Sequence, residues 1–193
     1  MQPKARSLSE YMSSLETSYA SVIPENVEEI IMVLDCLRNR RSHLFICGNG
    51  GSASTAEHFA VDLGVGLDRI GVGLKSYSLT SNTSNLTATG NDLEFNQIFA
   101  SQIELAGEEN DVLVVFSASG NSENVLKAVK QAKSQKMITI GFVGFNGGEL
   151  IKMVDYALHV KTQTGEYGIV EDIHLSLCHY ITERLRTGFN DSK

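Results

Sequence analysis

The chain has few cysteines, no long apolar run and no excess of basic residues. Its 193 residues include three scattered cysteines, Cys36, Cys47 and Cys178, with no Cys-x-x-Cys pair, so the sequence predicts no disulfide framework. Cys36 and Cys47 lie in apolar patterns typical of core thiols. The longest apolar runs have the length of a strand, which argues against a membrane span, and no apolar signal segment follows the N-terminus. We therefore expect a cytoplasmic protein.

The charge balance argues against a broad nucleic-acid or anionic-membrane surface. The formal net charge is −7, whereas such surfaces need basic patches. A local phosphate site is still compatible with this charge, because an exposed charge is screened over about 10 Å in salt. The length, the 42% hydrophobic content and the lack of a linker predict one domain over residues 1–193.

The stretch from Leu113 to Val125 carries the strongest functional signal. An apolar, β-branched run ends in a turn that contains Ser117, Ser119, Gly120 and Ser122, and a helical pattern follows. The first amides of a helix lack intrahelical partners and lie at the positive end of the helix dipole, so such a turn favours an anion. Phosphate is the predicted occupant. The alternative is a serine that only caps the helix.

Strands and helices alternate from residue 43 onward. Strands are predicted over 43–47, 71–79, 112–116, 137–143 and 156–160. Helices are predicted over 7–21, from 24, over 52–63, 83–89, 93–106 and 121–135, in a short piece ending at 151, and over 170–186. This alternation predicts a five-stranded parallel sheet in flavodoxin-like order with helices on both faces. The two extra N-terminal helices cover a flank or form a subunit contact.

Ligands of such sheets bind at the carboxyl ends of the strands, where this chain has three turns of small residues. The first, from Gly48, fits the G-x-G-x-x-A dinucleotide pattern. The next strand, however, ends in Leu79-Thr-Ser-Asn, without the acidic residue that binds a ribose. No Gly-Lys-Ser/Thr occurs either, so nucleotide binding and hydrolysis are disfavoured.

Two helices carry candidate metal ligands. His58 and Asp62 are four residues apart, on one face of the helix after the glycine turn. The last helix contains Glu171 and His179, and this spacing is compatible with convergence on one ion. Imidazole and carboxylate ligands suit zinc or another divalent metal. The alternatives are a surface His/Asp pair and an acidic helix start.

His174 and Cys178 are also four residues apart on the last helix and share a face there. A histidine at such a position is compatible with the metal site, and equally with a place in the core.

Together these motifs resemble the SIS (sugar isomerase) domain and, within it, the phosphoheptose isomerases. The resemblance rests on Gly48-Asn-Gly-Gly-Ser, His58-Phe-Ala, Gly90-Asn-Asp, Ser117-Ala-Ser-Gly-Asn-Ser, Gly147-Gly and Glu171-Asp-Ile-His. It implies the flavodoxin-like sheet, a homotetramer with active sites between subunits, and one zinc or other divalent ion per subunit.

The resemblance also implies roles for individual residues. Asp62 falls on the general base and His179 on the general acid. The metal ligands would be His58, Asp62, Glu171 and His179. The substrate would contact Asn49, Gly50, Gly51, Ser52, Asn91, Asp92, Ser117, Ala118, Ser119, Ser122 and Glu171.

Three positions depart from the family pattern. Asp62 stands where the family has Glu, Glu171 where it has Gln, and Ala118 where it often has Thr. Asp and Glu are still competent ligands, and Ala118 still offers its backbone amide. The base is one methylene shorter and the metal shell more acidic than in the family pattern.

The implied function is the isomerisation of sedoheptulose 7-phosphate to D-glycero-manno-heptose 7-phosphate through an enediol, for the synthesis of heptose in lipopolysaccharide or another surface polysaccharide. One alternative is a non-catalytic SIS protein that senses a phosphosugar or binds the replication initiator. Asp62 and His179 favour the enzyme, because such relatives lack both groups. Another alternative is an isomerase of a hexulose or arabinose phosphate.

Overall fold

We analysed a computed structural model of the chain, which describes residues 6–39 and 42–188. Within these ranges the helices are α1 (Leu8–Tyr19), α2 (Pro24–Cys36), α3 (Gly51–Val61), α4 (Thr83–Asp92), α5 (Ala100–Ala106), α6 (Glu123–Ser134), α7 (Leu150–Met153) and α8 (Tyr167–Thr187). The strands are β1 (Leu44–Gly48), β2 (Ser76–Ser78), β3 (Val112–Ser117), β4 (Ile138–Val143) and β5 (Tyr156–His159). Short 3₁₀ helices cover Leu37–Asn39 and Phe95–Gln97, and a π-helix covers Asp62–Gly66.

The strands form one parallel sheet, and the predicted flavodoxin-like order is confirmed. The order is β2-β1-β3-β4-β5, with β3 in the centre and register pairs such as Gly48 with Phe116 and Phe116 with Phe142. Because all strands run the same way, the loops that follow β1, β3 and β4 lie at one edge of the sheet.

Alternate residues of each central strand face opposite sides of the sheet, where two separate cores form. Ile46 and Val114 pack with α2, α3 and α8 on one face, while Cys47 and Val115 pack with α5 and α6 on the other. Each fully buried Ile or Val contributes about 1.5–3 kcal/mol of burial free energy. Helices therefore cover both faces, as predicted.

The two N-terminal helices cover a flank of the sheet, which was one of the two predicted roles, the other being a subunit contact. Helix α2 lies against β5 and α8, and Ile30, Ile31 and Leu34 are buried in the core there. Helix α1 lies on α8, where the Tyr11 hydroxyl donates a hydrogen bond to Asp172 at 2.7 Å.

Three predicted elements differ from the structure. The strand expected over 71–79 is reduced to β2, because the Leu74 amide donates to the Leu63 carbonyl at 2.8 Å instead of joining the sheet. The helix expected over 93–106 begins only at Ala100 as α5, after the short 3₁₀ helix. Helix α4 continues through Gly90 to Asp92, since glycine weakens a helix without ending it.

The three cysteines are free thiols. Cys47 and Cys178 are buried, but Cys36 is exposed, so its prediction as a core thiol was wrong. Among the described residues, no helix has the length and apolar content needed to cross a membrane.

Candidate active site

The serine turn after β3 forms one wall of a pocket at the carboxyl edge of the sheet. The Ser117 hydroxyl accepts a hydrogen bond from the Gly120 amide at 3.1 Å, and the Ser119 hydroxyl accepts one from the Asn121 amide at 3.2 Å. A hydroxyl that accepts from the backbone still has a hydrogen with which to donate to a ligand. Ser122 is the N-cap of α6, yet its side chain makes no capping hydrogen bond. This favours the anion-binding interpretation over a plain helix cap.

Glycine is required at the centre of this turn. Gly120 has φ +64°, and a β-carbon added there would overlap the backbone of Gly147. The Leu150 amide also donates to the Gly120 carbonyl at 2.9 Å. The turns after β3 and β4 therefore touch through bare backbone, which fixes the position of the serines.

The N-termini of three helices meet at this pocket. Its lining comprises Asn49, Ser52, Phe116, Ser117, Ala118, Ser119, Ser122, Tyr167 and Glu171. Ser52 belongs to the first turn of α3, Ser122 caps α6, and Tyr167 begins α8. Each of these helix ends carries partial positive charge from its unpaired amides, so the pocket suits a phosphate group.

Three of the four predicted metal ligands converge. His58, Asp62 and His179 each offer one ligand atom, and these atoms lie within 4.8 Å of one another. Nε2 of His58 lies 3.3 Å from Oδ2 of Asp62 and 3.0 Å from Nε2 of His179. Two imidazole nitrogens and a carboxylate oxygen this close form a donor set that fits a divalent ion.

One member of this group, Asp62, lies on the π-helix. The π-helix begins at Asp62, directly after α3, so that this predicted ligand lies on a widened helical turn. Such π-turns occur often at functional sites. Sequence reasoning missed it, because the periodicity of residues 52–63 only indicates a helix.

Glu171 lies in the serine pocket and is not a member of the His58, Asp62 and His179 group. Its carboxylate contacts Gly51 so closely that a β-carbon added to this glycine would overlap it. Burial raises the pKa of Glu171, and the nearby charge of Asp172 raises it further. Glu171 therefore lies at the N-terminus of α3, and its predicted roles as a substrate contact and as a metal ligand stay predictions.

Asn91 and Asp92 do not line this pocket. They end α4 and are exposed, and the Asn91 side-chain amide donates to Asp92 at 2.8 Å. Gly50, with φ +55°, is the N-cap of α3 beside the pocket. Within the described chain the structure thus brings the predicted glycine turn, serine turn and Glu171 together, and leaves Asn91 and Asp92 apart.

His174 and Cys178 belong to the core. Both are buried, and His174 packs against the rings of Phe116 and Phe142, with centroid distances of 5.9 and 5.8 Å. Burial lowers the pKa of His174 to about 4 and raises the pKa of the Cys178 thiol. Of the alternatives for this pair, the core position is correct.

Two further residues at or next to the pocket were not predicted. Tyr167 lies one turn before Glu171 on α8, and its ring packs edge-on against Phe145 with centroids 5.0 Å apart. Asn124 is buried on the first turn of α6 and hydrogen-bonds Asn49, which lines the pocket. The four-residue spacing of Tyr167 and Glu171 was a usable signal, whereas nothing in the sequence pairs Asn124 with Asn49.

Comparison with known families agrees with this architecture. The SIS domain matches residues 6–144, which is most of the chain, and the chain belongs to this family. It is 37% identical to the phosphoheptose isomerase of Campylobacter jejuni over 158 residues, which cover 82% of this chain and 83% of the relative. Within the SIS family, the chain therefore belongs to the phosphoheptose isomerases, and the family predicted from the motifs is confirmed.

Solved structures of this group share the fold over nearly the whole chain. The phosphoheptose isomerase of Neisseria gonorrhoeae superposes with a TM-score of 0.83 at 33% identity, covering 93% of this chain and 95% of that one. The enzyme of Francisella tularensis has a TM-score of 0.86 at 29% identity, covering 93% and 96%.

Proposed function

We propose that this protein isomerises sedoheptulose 7-phosphate to D-glycero-manno-heptose 7-phosphate for heptose and surface-polysaccharide synthesis. The observation that carries the proposal is that α3 and α8 each connect the serine pocket to the His58, Asp62 and His179 group. Both helices begin at the pocket and continue to these side chains. A phosphosugar anchored in the pocket thus extends along them toward a base, an acid and a metal.

The separation of the two sites favours a long sugar. His58 lies six residues after Ser52 on α3, about 9 Å along a helix that rises about 1.5 Å per residue. An extended chain advances about 1.2 Å per bond, so phosphorus and C2 are about 8 Å apart in a seven-carbon 7-phosphate and about 6 Å apart in a five-carbon 5-phosphate. The heptose matches this distance better than an arabinose phosphate does.

In the proposed chemistry, Asp62 acts as the general base and His179 as the general acid of a proton transfer between adjacent carbons. The Asp62 carboxylate removes the proton from the carbon next to the carbonyl, and His179 protonates the carbonyl oxygen, which gives the enediol. Returning the proton to the former carbonyl carbon, C2, and removing the proton from the hydroxyl on C1 then gives the aldose. The phosphate, held in the serine pocket, supplies binding energy remote from the reacting carbons.

We propose one divalent ion, zinc by its ligand preference, held by His58, Asp62 and His179, with Glu171 as the fourth predicted ligand. Such an ion polarises a carbonyl and stabilises the negative charge of an enediolate. The exposed positions of His58 and His179 leave the group open to a substrate.

Turnover and metal content, measured on one preparation, test the proposal. We expect about one divalent ion per chain by elemental analysis, turnover of sedoheptulose 7-phosphate, loss of turnover on chelation and recovery with added zinc. Hexulose 6-phosphate and arabinose 5-phosphate, assayed in parallel, distinguish the heptose from shorter sugars. A folded preparation that binds phosphosugar but contains no metal and shows no turnover would contradict the proposed enzyme activity. It would favour a sensing or initiator-binding module.

We further propose a cytoplasmic, single-domain protein that assembles as a homotetramer with active sites between subunits. The exposed ends of α4, with Asn91 and Asp92 away from the pocket, support a contribution of these residues to a neighbouring subunit's site. Contacts between substrate hydroxyls and these side chains would then complete each site in trans.

Subunit mixing tests the shared site. We expect Asp62→Asn and Asp92→Ala chains to be nearly inactive alone, and a mixed assembly with a different tag on each chain to regain activity. The gain arises because one class of site in the mixture has both wild-type residues. A control mixture of two Asp62→Asn chains stays inactive. A mixed assembly with no regained activity, although both chains copurify, would contradict a shared site.

A further inference from the structure

Asn49 occupies a turn that does little by itself to orient its side chain. It follows Gly48 and precedes Gly50, which has φ +55° and open space around its α-carbon. The Asn49 side chain is half-buried and lines the serine pocket. A carboxamide offers a donor at one end and an acceptor at the other, so its usefulness to a ligand depends on which end faces the pocket.

A second, buried asparagine that contacts Asn49 fixes this orientation. Nδ2 of Asn49 donates to Oδ1 of Asn124 at 2.9 Å, and Nδ2 of Asn124 donates back to Oδ1 of Asn49 at 2.8 Å. Asn124 is only 3% exposed, on the first turn of α6. A buried amide without partners would be costly, so this reciprocal pair is held strongly.

The backbone settles which way both amides point. The Val125 amide donates to Oδ1 of Asn124 at 3.0 Å. Because a backbone N–H only donates, the Asn124 atom beside Val125 must be the oxygen, which also accepts from Asn49, and the Asn124 nitrogen is therefore the donor to Oδ1 of Asn49. The pairing then leaves Asn49 with one N–H hydrogen and one lone pair beyond those used by Asn124.

We propose that Asn124 is a positioning residue that orients the Asn49 amide toward the phosphate of the substrate. The pair links the turn after β1 to α6, the helix that begins at the serine turn. It thereby holds these two sides of the pocket at a fixed distance from each other. The inference rests on the proposed function for its kinetic readout, while binding of inorganic phosphate tests it independently of turnover.

The test is a double-mutant cycle of Asn124→Leu and Asn49→Ala. Leucine keeps the volume of Asn124 but removes its hydrogen bonds. We expect Asn124→Leu to raise KM and to weaken inorganic phosphate binding, measured by calorimetry, about tenfold, which corresponds to about 1.4 kcal/mol. We expect kcat to change less than about threefold, because Asn124 touches no reacting atom. In the Asn49→Ala background, Asn124→Leu should have almost no further effect on either quantity.

Loss of stability alone must be distinguished from lost positioning. Thr139→Val is the matched control, because Thr139 is fully buried and donates to Asp155 at 2.7 Å at the opposite edge of the sheet. This variant should lower the melting temperature without changing phosphate affinity. Phosphate affinity equal to wild type in Asn124→Leu, or equal losses with and without Asn49, would overturn the positioning role. A wild-type protein that binds phosphate but does not turn over sugar overturns only the proposed function.

Discussion

Asp62→Asn is expected to lower kcat on sedoheptulose 7-phosphate by about 10²–10⁴-fold, the usual contribution of a general base. Asparagine has nearly the same shape as aspartate but does not accept a proton from carbon. The phosphate-binding pocket of the protein is formed by residues other than Asp62, so the affinity of the variant for inorganic phosphate should stay within about twofold of wild type. Steady-state kinetics and calorimetry on the same preparation measure both quantities.

Glu57→Gln is the matched control for this change. Glu57 is an exposed carboxylate on α3, which leads directly into the π-helix that begins at Asp62, and it accepts a hydrogen bond from Thr80 at 3.1 Å. It is not a member of the His58, Asp62 and His179 group. Its neutralisation should leave kcat nearly unchanged, which separates the role of Asp62 from a general loss of charge. An Asp62→Asn variant that keeps wild-type kcat would show that another group is the base.

Acid is expected to destabilise the fold through His174. Burial among apolar rings lowers its pKa from 6.5 to about 4, so between these values the unfolded chain binds a proton that the folded chain does not. The contribution is complete above the unfolded pKa and is lost as the pH falls toward the folded one. The free energy of unfolding therefore falls by about 1.4 kcal/mol per pH unit in this window, and by about 3 kcal/mol in total.

Urea unfolding at pH 7 and pH 5 measures this effect. His174→Phe replaces the ring with one that does not titrate, so its free energy of unfolding should fall about 2 kcal/mol less than that of wild type between the two values. Phe142→Leu, at a neighbouring ring, is the control: it lowers stability but keeps the wild-type difference between the two pH values. The same pH difference in wild type and His174→Phe would show that other groups cause the acid loss.

Local signals in the sequence were sufficient for most of the fold. The apolar run before Ser117 and the spacing of the following helix predict β3 and α6 correctly, because each pattern reports burial within one element. The four-residue spacing of His58 and Asp62 likewise predicts their shared face. The limits of β2 depended instead on a hydrogen bond from Leu74 to Leu63, which joins segments that no periodicity connects.

The site itself required tertiary information. The approach of His179 to His58 depends on how α8 lies against α3, and the sequence spacing of Glu171 and His179 gives no such angle. The same packing directs Glu171 toward Gly51 in the serine pocket. The resemblance to a family supplied these residues as a set, while their division between the pocket and the His–Asp–His group came only from the three-dimensional structure.

The contact of bare backbone between the turns after β3 and β4 has a consequence for protein engineering. Gly120 and Gly148 each have positive φ, and a β-carbon at either would overlap the opposite turn. A saturation library would therefore recover almost only glycine at these two positions, whatever sugar was used for selection. New substrate preferences have to be sought in side chains that line the pocket, such as Tyr167, which is 53% exposed.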